Sequence, residues 1–391
     1  MVLFESEFSM SASSSAVEIT ADFDTGNIQV LDASDSSLIR LAIRPDTRSQ
    51  HFQWFHFKAS GLPQGQNCAF ALENAGRSSY PHAWEGYNAV ASYDGRDWFR
   101  VPSTFDGQTL RFELAAEHSE VSFAYFEPYR EARHLALMAR AKAVAGVEVV
   151  AEGKSLEGRP LPLYRAGSGD SRKRKVWLIA QQHPGEHMAE WFMEGLVEAL
   201  ERREPWMQAL LEQAELYFVL NMNPDGAFHG HLRTNAAGRD LNRTWKDATE
   251  VDAPEVHFVL GQMDTYGVDA LIDAHGDEEI PYVFTAACEG NPGYSPRIAE
   301  LEATFRQALC EQTQDFQQQH GYVRDEPGQA NMTLACNAVG QRFDCLSLTL
   351  EMPFKDHLNA PDPRAGWSGA RAARLAQDLL KVIGAMAAQL R

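Results

Sequence analysis

Histidine and glutamate lie close together in the stretch QQHPGEHMAEWF, residues 181–192, which directly follows the apolar run VWLIA at 176–180. His183 and Glu186 have H-x-x-E spacing, and His187 extends the same stretch to H-x-x-E-H. Both patterns are found in zinc enzymes, in which imidazole nitrogens and a carboxylate bind the metal. The stretch therefore poses a choice between two kinds of zinc site.

Spacing alone does not identify a site, because 13 histidines in an acid-rich chain produce roughly one H-x-x-E match by chance. The chain has four such matches: His82/Glu85, His183/Glu186, His187/Glu190 and His275/Glu278. Ligands of open α/β sheets bind at the carboxyl ends of the strands. His183 and Glu186 follow one predicted strand, and His275 ends another, VDALIDAH. His82 lies in a predicted loop and His187 at the start of a predicted helix. We therefore expect His183, Glu186 and His275 to bind one metal ion.

The H-x-x-E-H alternative requires both histidines on one face of a helix, with Glu186 as the base. Pro184 and Gly185 stand between them. Proline lacks an amide donor and disfavours a helical conformation in the preceding residue, and glycine weakens any helix that runs through it. The Pro-Gly pair is typical of a loop between a strand and a helix, so the H-x-x-E pattern is favoured over H-x-x-E-H.

A metal held by two imidazoles and one carboxylate keeps a coordination position for water, and a base must lie near that water. Glu351 is the candidate base, because it ends the apolar run CLSLTLEM, residues 345–352, just before Pro353.

A long polar segment, residues 221–245, follows another predicted strand and is rich in Asn, Gly and Arg. Its arginines are candidates for binding a carboxylate, since a guanidinium offers a planar fork of donors: Arg233, Arg239 and Arg243. Two histidines of the segment are expected at the surface rather than in the metal site, His229 and His231.

The first third of the chain has short, alternating, aromatic segments from about position 16 to 126, with turn residues between them. This pattern predicts an antiparallel β-sandwich. The dipeptide Asp-Gly occurs at 94–95 and 106–107 and is typical of hairpin turns. The Ser-rich stretch at 9–15 is expected to be a loose terminus.

From about position 130 the pattern changes to apolar runs that alternate with amphipathic stretches. The predicted helices are 130–145, 186–204, 296–314 and 369–390, and the predicted strands are 175–180, 215–221, 268–274 and 345–352. Continuous apolar strands between such helices indicate an α/β domain whose mixed sheet is covered by helices on both faces. We therefore predict two domains, residues 1–129 and 130–391.

Composition excludes several classes of protein. The formal net charge of −19 opposes binding to nucleic acid and to anionic membranes, and no stretch approaches 18 consecutive apolar residues. Five cysteines without C-x-x-C spacing predict reduced, mostly buried thiols rather than a disulfide framework. The N-terminus carries acids and no base ahead of any apolar segment, unlike a secretory signal, so we expect a cytoplasmic location.

These motifs, in this order, resemble those of the zinc metallocarboxypeptidases, and of their cytosolic carboxypeptidase branch in particular. The matching motifs are H-P-x-E at 183–186, NPDG at 223–226, DLNR at 240–243, AHG at 274–276 and TLE at 349–351. The segment VSFAYFEPY at 121–129 is similar to the one that closes the N-terminal β-sandwich of that branch. The resemblance implies a carboxypeptidase-like α/β domain preceded by an all-β sandwich.

The resemblance also implies one zinc ion per chain, bound by His183, Glu186 and His275. It gives Glu351 the role of general base and proton shuttle, and Arg233 that of polarising the scissile carbonyl group.

The remaining roles concern substrate and ligand orientation. Asn242 and Arg243 would hold the terminal carboxylate of the substrate, and Asp240 would orient a histidine ligand. Eukaryotic relatives of this branch remove glutamate with the help of a basic residue, for which Arg342 is the match by spacing. Tyr322 is the match for a mobile substrate-binding tyrosine.

The leading hypothesis is therefore a zinc-dependent carboxypeptidase that acts on peptide or protein C-termini, with glutamate removal as a further hypothesis. Two alternatives remain open at this stage. One is an aspartoacylase-like zinc amide hydrolase of small N-acyl amino acids, and the other is a non-enzymatic binding protein. The sequence leaves the oligomeric state open.

Overall fold

The structure is a computed structural model that describes residues 17–390. The Ser-rich stretch at 9–15 lies outside the described residues. Ten strands form the N-terminal part: β1 (Glu18–Thr20), β2 (Gln29–Asp32), β3 (Ile39–Ala42), β4 (His56–Ser60), β5 (Asn67–Leu72), β6 (Ala89–Ser92), β7 (Phe99–Val101), β8 (Ser103–Phe105), β9 (Leu110–Ala115) and β10 (Glu120–Ala124). They make two five-stranded sheets, ordered β1-β4-β10-β6-β7 and β2-β3-β5-β9-β8.

The predicted sandwich is confirmed, with one local difference. Phe57, Phe70, Phe112 and Phe123 bring the two sheets together as a cluster of buried aromatic rings. Strands β3 and β5 pair in parallel, whereas the other pairs are antiparallel. Both Asp-Gly dipeptides lie between paired strands, β6 with β7 and β8 with β9, and their glycines have positive φ angles of 70° and 91°.

The remaining elements belong to the α/β part. Its helices are α1 (Glu131–Ala143), α2 (Met188–Arg202), α3 (Pro205–Gln213), α4 (Pro224–His229), α5 (Pro254–Tyr266), α6 (Pro296–Gln312), α7 (Ala335–Phe343) and α8 (Gly369–Met386). Its strands are β11 (Val147–Lys154), β12 (Pro160–Ala166), β13 (Arg174–Ala180), β14 (Ala214–Val219), β15 (Ala270–Asp277), β16 (Phe284–Ala286) and β17 (Leu346–Pro353). Short 3-10 helices lie at Ala75–Arg77, Pro81–Trp84, Leu241–Arg243 and Ala387–Gln389.

The α/β sheet is mixed, as predicted, with strand order β11-β12-β14-β13-β15-β17-β16. Its central strands β14, β13, β15 and β17 are parallel, and antiparallel pairs flank them on both sides. We call residues 17–129 the N-terminal domain and residues 130–390 the α/β domain. The predicted boundary falls between β10 and α1.

Alternate side chains of β13 explain why this strand reads as a continuous apolar run. Val176 and Leu178 pack into the larger core, which includes residues of α2 and α8 and continues into the N-terminal domain. Trp177 and Ile179 face the opposite core, which contains residues of α5 and α7. Because helices cover both faces, every position of the strand from Val176 to Ala180 is apolar.

Two predictions from composition can be compared with the described residues. Cys68, Cys288, Cys336 and Cys345 are buried and Cys310 is partly buried, and all five are free thiols. Between residues 17 and 390, none of the helices combines the length and apolarity that crossing a bilayer requires.

Candidate active site

The predicted metal ligands meet where three parallel strands end. Strands β13 and β17 lie on either side of β15, and His275 near the end of β15 is the cross-strand partner of Glu351 on β17. His183 and Glu186 lie in the loop that follows β13. Because parallel strands end at the same edge of a sheet, residues far apart in sequence become neighbours here.

Glu186 lies between the two histidines. Its Oε1 atom is 2.7 Å from Nδ1 of His183, and its Oε2 atom is 2.8 Å from Nδ1 of His275. One ligand atom from each of the three residues can be chosen so that all lie within 4.8 Å of one another, and all three residues are buried. This is the only group of three His, Cys, Asp or Glu side chains with such spacing in the described part of the chain.

The other ring nitrogen of each histidine contacts a second carboxylate. Nε2 of His183 lies 3.0 Å from Oδ1 of Asp240, and Nε2 of His275 lies 2.9 Å from Oδ2 of Asp273. Such carboxylates fix the ring orientation and the tautomer of a metal-binding histidine. Both Nδ1 atoms therefore converge on one point beside Glu186. Two nitrogens and one carboxylate are a donor set that suits zinc.

The charges of this cluster suit a cation. Burial by itself would raise the pKa of Glu186, but the positive charges of His183 and His275 outweigh it, and the pKa is about 2. Burial by itself would lower the pKa of His275, but Asp273 and Glu186 outweigh it and raise the pKa well above its ordinary value. Three carboxylates, those of Glu186, Asp240 and Asp273, thus surround the two imidazoles and stabilise positive charge between them.

The loop after β13 has the conformation that Pro184 and Gly185 predict. Helix α2 begins only at Met188, so His183 and Glu186 precede it. His187 is buried and points elsewhere: its Nδ1 accepts a hydrogen bond of 3.1 Å from the backbone N–H of Tyr129. Its ring packs against Trp54, with ring centroids 4.4 Å apart. The structure therefore gives no support to an H-x-x-E-H site.

Glu351 is buried beside the cluster and only partly hydrogen-bonded. Its Oε1 atom lies 3.1 Å from the hydroxyl of Tyr322, while its Oε2 atom has no hydrogen-bond partner among the described residues. Burial is the main cause that raises the pKa of Glu351 to about 8. The Tyr322 hydroxyl also lies 2.7 Å from Oδ2 of Asp277, so it bridges two carboxyl groups.

Arg233 contacts the cluster through Asp240. Its Nε donates a hydrogen bond of 2.7 Å to Asp240 Oδ2, and its Nη1 donates to the hydroxyl of Tyr80. Burial by itself would lower the pKa of Arg233, but the carboxylate of Asp240 outweighs it and raises the pKa. The guanidinium is therefore charged, and Asp240 links it to His183.

The N-terminal domain holds the segment that carries Arg233. Both carboxylate oxygens of the buried Asp46 accept hydrogen bonds from this segment. The donors are the backbone N–H groups of Leu232, Arg233 and Thr234 at 2.6, 2.8 and 2.9 Å, and the Thr234 hydroxyl at 3.1 Å. The two domains are thus joined directly behind the candidate site.

Asn242 and Arg243 border the same space. Nδ2 of Asn242 lies 3.3 Å from Nε2 of His275, and its Oδ1 accepts a hydrogen bond of 2.8 Å from Ala335 N–H at the start of α7. The exposed Arg243 donates to the carbonyl of Asn242 at 2.8 Å, and its guanidinium forms no ion pair with any residue from 17 to 390.

These side chains surround one cavity of about 540 Å³. Its lining includes Tyr80, His183, Glu186, Arg233, Asn242, Arg243, Tyr322 and Glu351. A second cavity of about 370 Å³ shares Ala286, Tyr322, Leu334 and Thr349 with it, so the two adjoin. The structure thus brings nearly all of the predicted site residues together around one space.

Arg342 is not among them. It lies on the exposed side of α7 and forms a two-pronged ion pair with Asp264, at 2.7 and 2.6 Å. Arg342 lines neither cavity. The prediction that it receives a substrate side chain, which was based on its spacing in the sequence, was therefore wrong. The expectation of a surface position was also wrong for His231, which is buried and hydrogen-bonded to Thr234 and Thr47. His229 is partly exposed and pairs with Glu157.

Sequence reasoning missed several residues that shape the site. Asp273 lies two positions before His275 on one strand, and this D-x-H spacing on a shared face of β15 was an available signal. Asp277 and Glu278 line the cavity directly after it. Asp46 and Tyr80 gave no signal, because they come from the other domain and reach the site only through the fold.

Two family models match the chain. Residues 19–126 match the cytosolic carboxypeptidase N-terminal domain, and residues 136–358 match zinc carboxypeptidase. The chain is 43% identical to an uncharacterised protein of Zymomonas mobilis subsp. mobilis, over 96% of this chain and 97% of the relative. It is also 24% identical to cytosolic carboxypeptidase 6 of Caenorhabditis elegans, over 85% of this chain and 78% of the relative.

A solved structure gives the same result. A metallo-carboxypeptidase from Pseudomonas aeruginosa, in complex with (2-guanidinoethylmercapto)succinic acid, has a TM-score of 0.94 and 59% identity, over 96% of this chain and 100% of that chain. These matches confirm the predicted resemblance and the predicted enzyme class, and they favour neither an aspartoacylase-like enzyme nor a non-enzymatic binding protein. The chain belongs to the zinc carboxypeptidase family of hydrolases, with the N-terminal domain of the cytosolic carboxypeptidases preceding its α/β domain.

Proposed function

We propose that this protein is a zinc-dependent exopeptidase that removes single residues from the C-termini of peptides or proteins. One observation carries the proposal: the cavity lined by His183 and Glu186, which cluster with His275, is also lined by a buried carboxyl group and an unpaired guanidinium, those of Glu351 and Arg243. The first suits proton transfer and the second suits binding of a chain end. We further propose that the protein works in the cytoplasm, as the names of its cytosolic relatives suggest.

The proposed ligands are His183, Glu186 and His275. Their fit to zinc is supported by the convergence of both Nδ1 atoms on Glu186 and by the carboxylates behind both rings. When bound, zinc supplies Lewis acidity to a peptide carbonyl and makes a water molecule more acidic.

Glu351 is the proposed general base and acid. Its Oε2 atom has no hydrogen-bond partner among residues 17–390, so in the ionised form of the carboxyl group it is available to take a proton from the attacking water. A zinc ion bound beside it would favour that ionised form, because a nearby positive charge lowers the pKa of a carboxyl group. The same carboxyl group then gives that proton to the nitrogen of the departing amino acid. Tyr322 at Oε1 restricts the rotation of the carboxyl group and keeps Oε2 available.

Arg233 and Arg243 have different proposed roles. Arg233 is held by Asp240 and Tyr80, so its guanidinium is oriented in advance and can stabilise negative charge on the carbonyl oxygen. Arg243 with Asn242 is proposed to bind the terminal carboxylate, for which a charged, planar donor is suited. Recognition of that carboxylate limits the enzyme to chain ends.

The preferred terminal side chain is proposed to be acidic, with glutamate as the leading case. What supports this is Arg306, which lines the adjoining cavity of about 370 Å³ and is buried. Its Nε donates to Thr285 at 3.1 Å and its Nη2 to Glu289 at 2.8 Å. Nη1 forms no hydrogen bond with any described residue and is thus available to a carboxylate.

A basic terminal residue is the second candidate. The Pseudomonas aeruginosa relative was solved with a compound that carries a guanidino group, and Glu289 and Asp325 line the adjoining cavity of this chain. Arg306 and Arg324 both pair with Glu289, at 2.8 and 3.4 Å, and they neutralise much of that negative charge. Acidic residues are therefore favoured over basic ones.

The test is a set of peptides that differ only in the last residue, ending in Glu, Arg or Leu, each with a free and an amidated C-terminus. Mass spectrometry should detect loss of one residue from the Glu peptide, slower loss from the others and none from amidated forms. Glu351→Gln should keep its zinc and lose turnover by about 10³-fold or more. Cleavage of amidated peptides would identify an endopeptidase, and faster loss of Arg would favour the second candidate.

A further inference from the structure

One side chain of the N-terminal domain reaches the candidate site. Tyr80 immediately precedes the 3-10 helix Pro81–Trp84 of that domain. It nevertheless lines the cavity of about 540 Å³ with His183, Glu186 and Glu351. The cavity is therefore completed by the β-sandwich rather than by the α/β domain alone.

The position of Tyr80 is fixed by a buried amide. Gln53 is fully buried, its Oε1 accepts a hydrogen bond of 2.8 Å from the Tyr80 N–H, and its Nε2 donates one of 3.1 Å to the Tyr80 carbonyl. Nε2 also donates to the hydroxyl of Tyr125 at 3.0 Å. The backbone of Tyr80 is thus held on both sides, and a group oriented in advance needs no rearrangement during the reaction.

The hydroxyl of Tyr80 has an unused hydrogen. It accepts a hydrogen bond from Nη1 of Arg233, whose guanidinium carbon lies 5.9 Å from the ring centroid. No described residue accepts a hydrogen bond from this hydroxyl. Burial raises the pKa of Tyr80, so the hydroxyl stays protonated. A phenol and a guanidinium therefore present donors side by side to the cavity.

We propose that Tyr80 is a catalytic residue whose hydroxyl donates a hydrogen bond to the carbonyl oxygen of the scissile peptide bond, next to Arg233. This proposal rests on the proposed function and assigns a chemical role to the N-terminal domain. A carbonyl oxygen has two lone pairs and accepts from both donors. The bonds strengthen as the oxygen gains negative charge, so the hydroxyl contributes mainly to kcat.

The first test is Tyr80→Phe, which removes the hydroxyl and keeps the ring. We expect kcat to fall by about 10²-fold to 10³-fold, as for the loss of one oxyanion donor, with KM and zinc content close to wild type. Tyr93→Phe is the matched control, because Tyr93 belongs to the same domain and its hydroxyl accepts from Glu117 N–H outside the cavity. Wild-type kcat in Tyr80→Phe overturns the proposal.

The second test separates donation to the substrate from positioning of Arg233. If Tyr80 only positions Arg233, adding Tyr80→Phe to Arg233→Ala has no further effect. If Tyr80 donates to the substrate, the double variant is at least tenfold slower than Arg233→Ala alone. An unchanged rate in the double variant therefore overturns a catalytic role.

A binding measurement gives a readout without turnover. By calorimetry, a peptide phosphonate that mimics the tetrahedral intermediate should bind Tyr80→Phe more than tenfold more weakly, while the cleaved peptide product binds as in wild type. Equal loss for both ligands indicates a structural role and overturns the proposal. If wild type cleaves no peptide and binds no phosphonate, the proposed function fails as well, an outcome distinct from a fully active Tyr80→Phe variant.

Discussion

Two buried histidine–glutamate clusters lie in the α/β domain, and only one of them resembles a metal site. At the end of β13, Glu186 lies between two imidazoles, and the cluster opens on a cavity of about 540 Å³. Between α1 and α2, Glu190 pairs with one imidazole, that of His134, and accepts a hydrogen bond of 2.9 Å from Asn221. The second cluster borders a cavity of only about 40 Å³.

The difference shows that a contact between a histidine and a carboxylate does not by itself indicate a metal site. In the second cluster the amide of Asn221 takes the place that a second imidazole has in the first, so the hydrogen bonds of Glu190 are satisfied within the protein. In the first cluster each imidazole contacts a further carboxylate, so three carboxylates surround two imidazoles. A buried pair with satisfied hydrogen bonds stabilises the packing of helices, whereas carboxylates that outnumber the imidazoles beside a cavity suit the binding of a cation.

The largest expected effect separates the two clusters by metal content. His275→Ala should reduce bound zinc from about one ion per chain to a trace and abolish turnover, because two ligands bind zinc far more weakly than three. His134→Ala, the matched change in the other cluster, should keep its zinc. Elemental analysis of both purified variants checks this. Equal zinc loss in both variants would show that the two clusters do not differ in their ability to bind a metal ion.

The next effect is on stability. Glu190→Ala removes the acceptor shared by His134 and Asn221, and breaking a buried pair in this way costs about 3–5 kcal/mol. Glu201→Ala is the control on the same helix, because the Glu201 ion pair with Arg140 is partly exposed and worth about 1 kcal/mol or less.

Urea unfolding of the metal-free proteins measures both changes in the free energy of unfolding. A loss for Glu190→Ala no larger than that for Glu201→Ala would mean that water replaces the buried contacts. The zinc content of Glu190→Ala should stay at the wild-type level, which again distinguishes it from variants of the first cluster.

The two clusters also differ in how well sequence could predict them. Strand ends are visible as apolar runs that stop at polar residues, and the rule that sites lie at such ends located His183, His275 and Glu351. The contact between His134 and Glu190 depends on how α1 packs on α2, and nothing in either segment specifies that packing. The spacing of His187 and Glu190 in the sequence therefore suggests the wrong pair, because Glu190 contacts His134 of α1 rather than His187.

The same reasoning explains the successes and failures elsewhere in the fold. Strands β13, β14, β15 and β17 were predicted because burial on both faces makes them continuously apolar. The edge strand β11 and its neighbour β12 were missed, since β11 carries polar residues on its exposed side and β12 contains two prolines. Arg342 was misplaced because its spacing from Glu351 does not reveal which side of α7 faces the cavity. The positions of Asp46 and Tyr80 near the site could not be predicted, because they depend on how the two domains dock.

The smallest expected effect is a pH dependence confined to the second cluster. Burial by itself would lower the pKa of His134, but the negative charges of Glu190 and, more weakly, Glu131 outweigh it and raise the pKa above its ordinary value. A group with a raised pKa in the folded state stabilises fully below its unfolded pKa, about 6.5, and loses that contribution as the pH rises through the folded pKa. His134→Gln removes the titrating group. We therefore expect the free energy of unfolding of wild type to exceed that of His134→Gln by more at about pH 6 than at about pH 9, measured with urea on metal-free protein. A difference that is constant, or that grows with pH, would mean that His134 is neutral in the folded protein and that the cluster is a simple hydrogen bond rather than an ion pair.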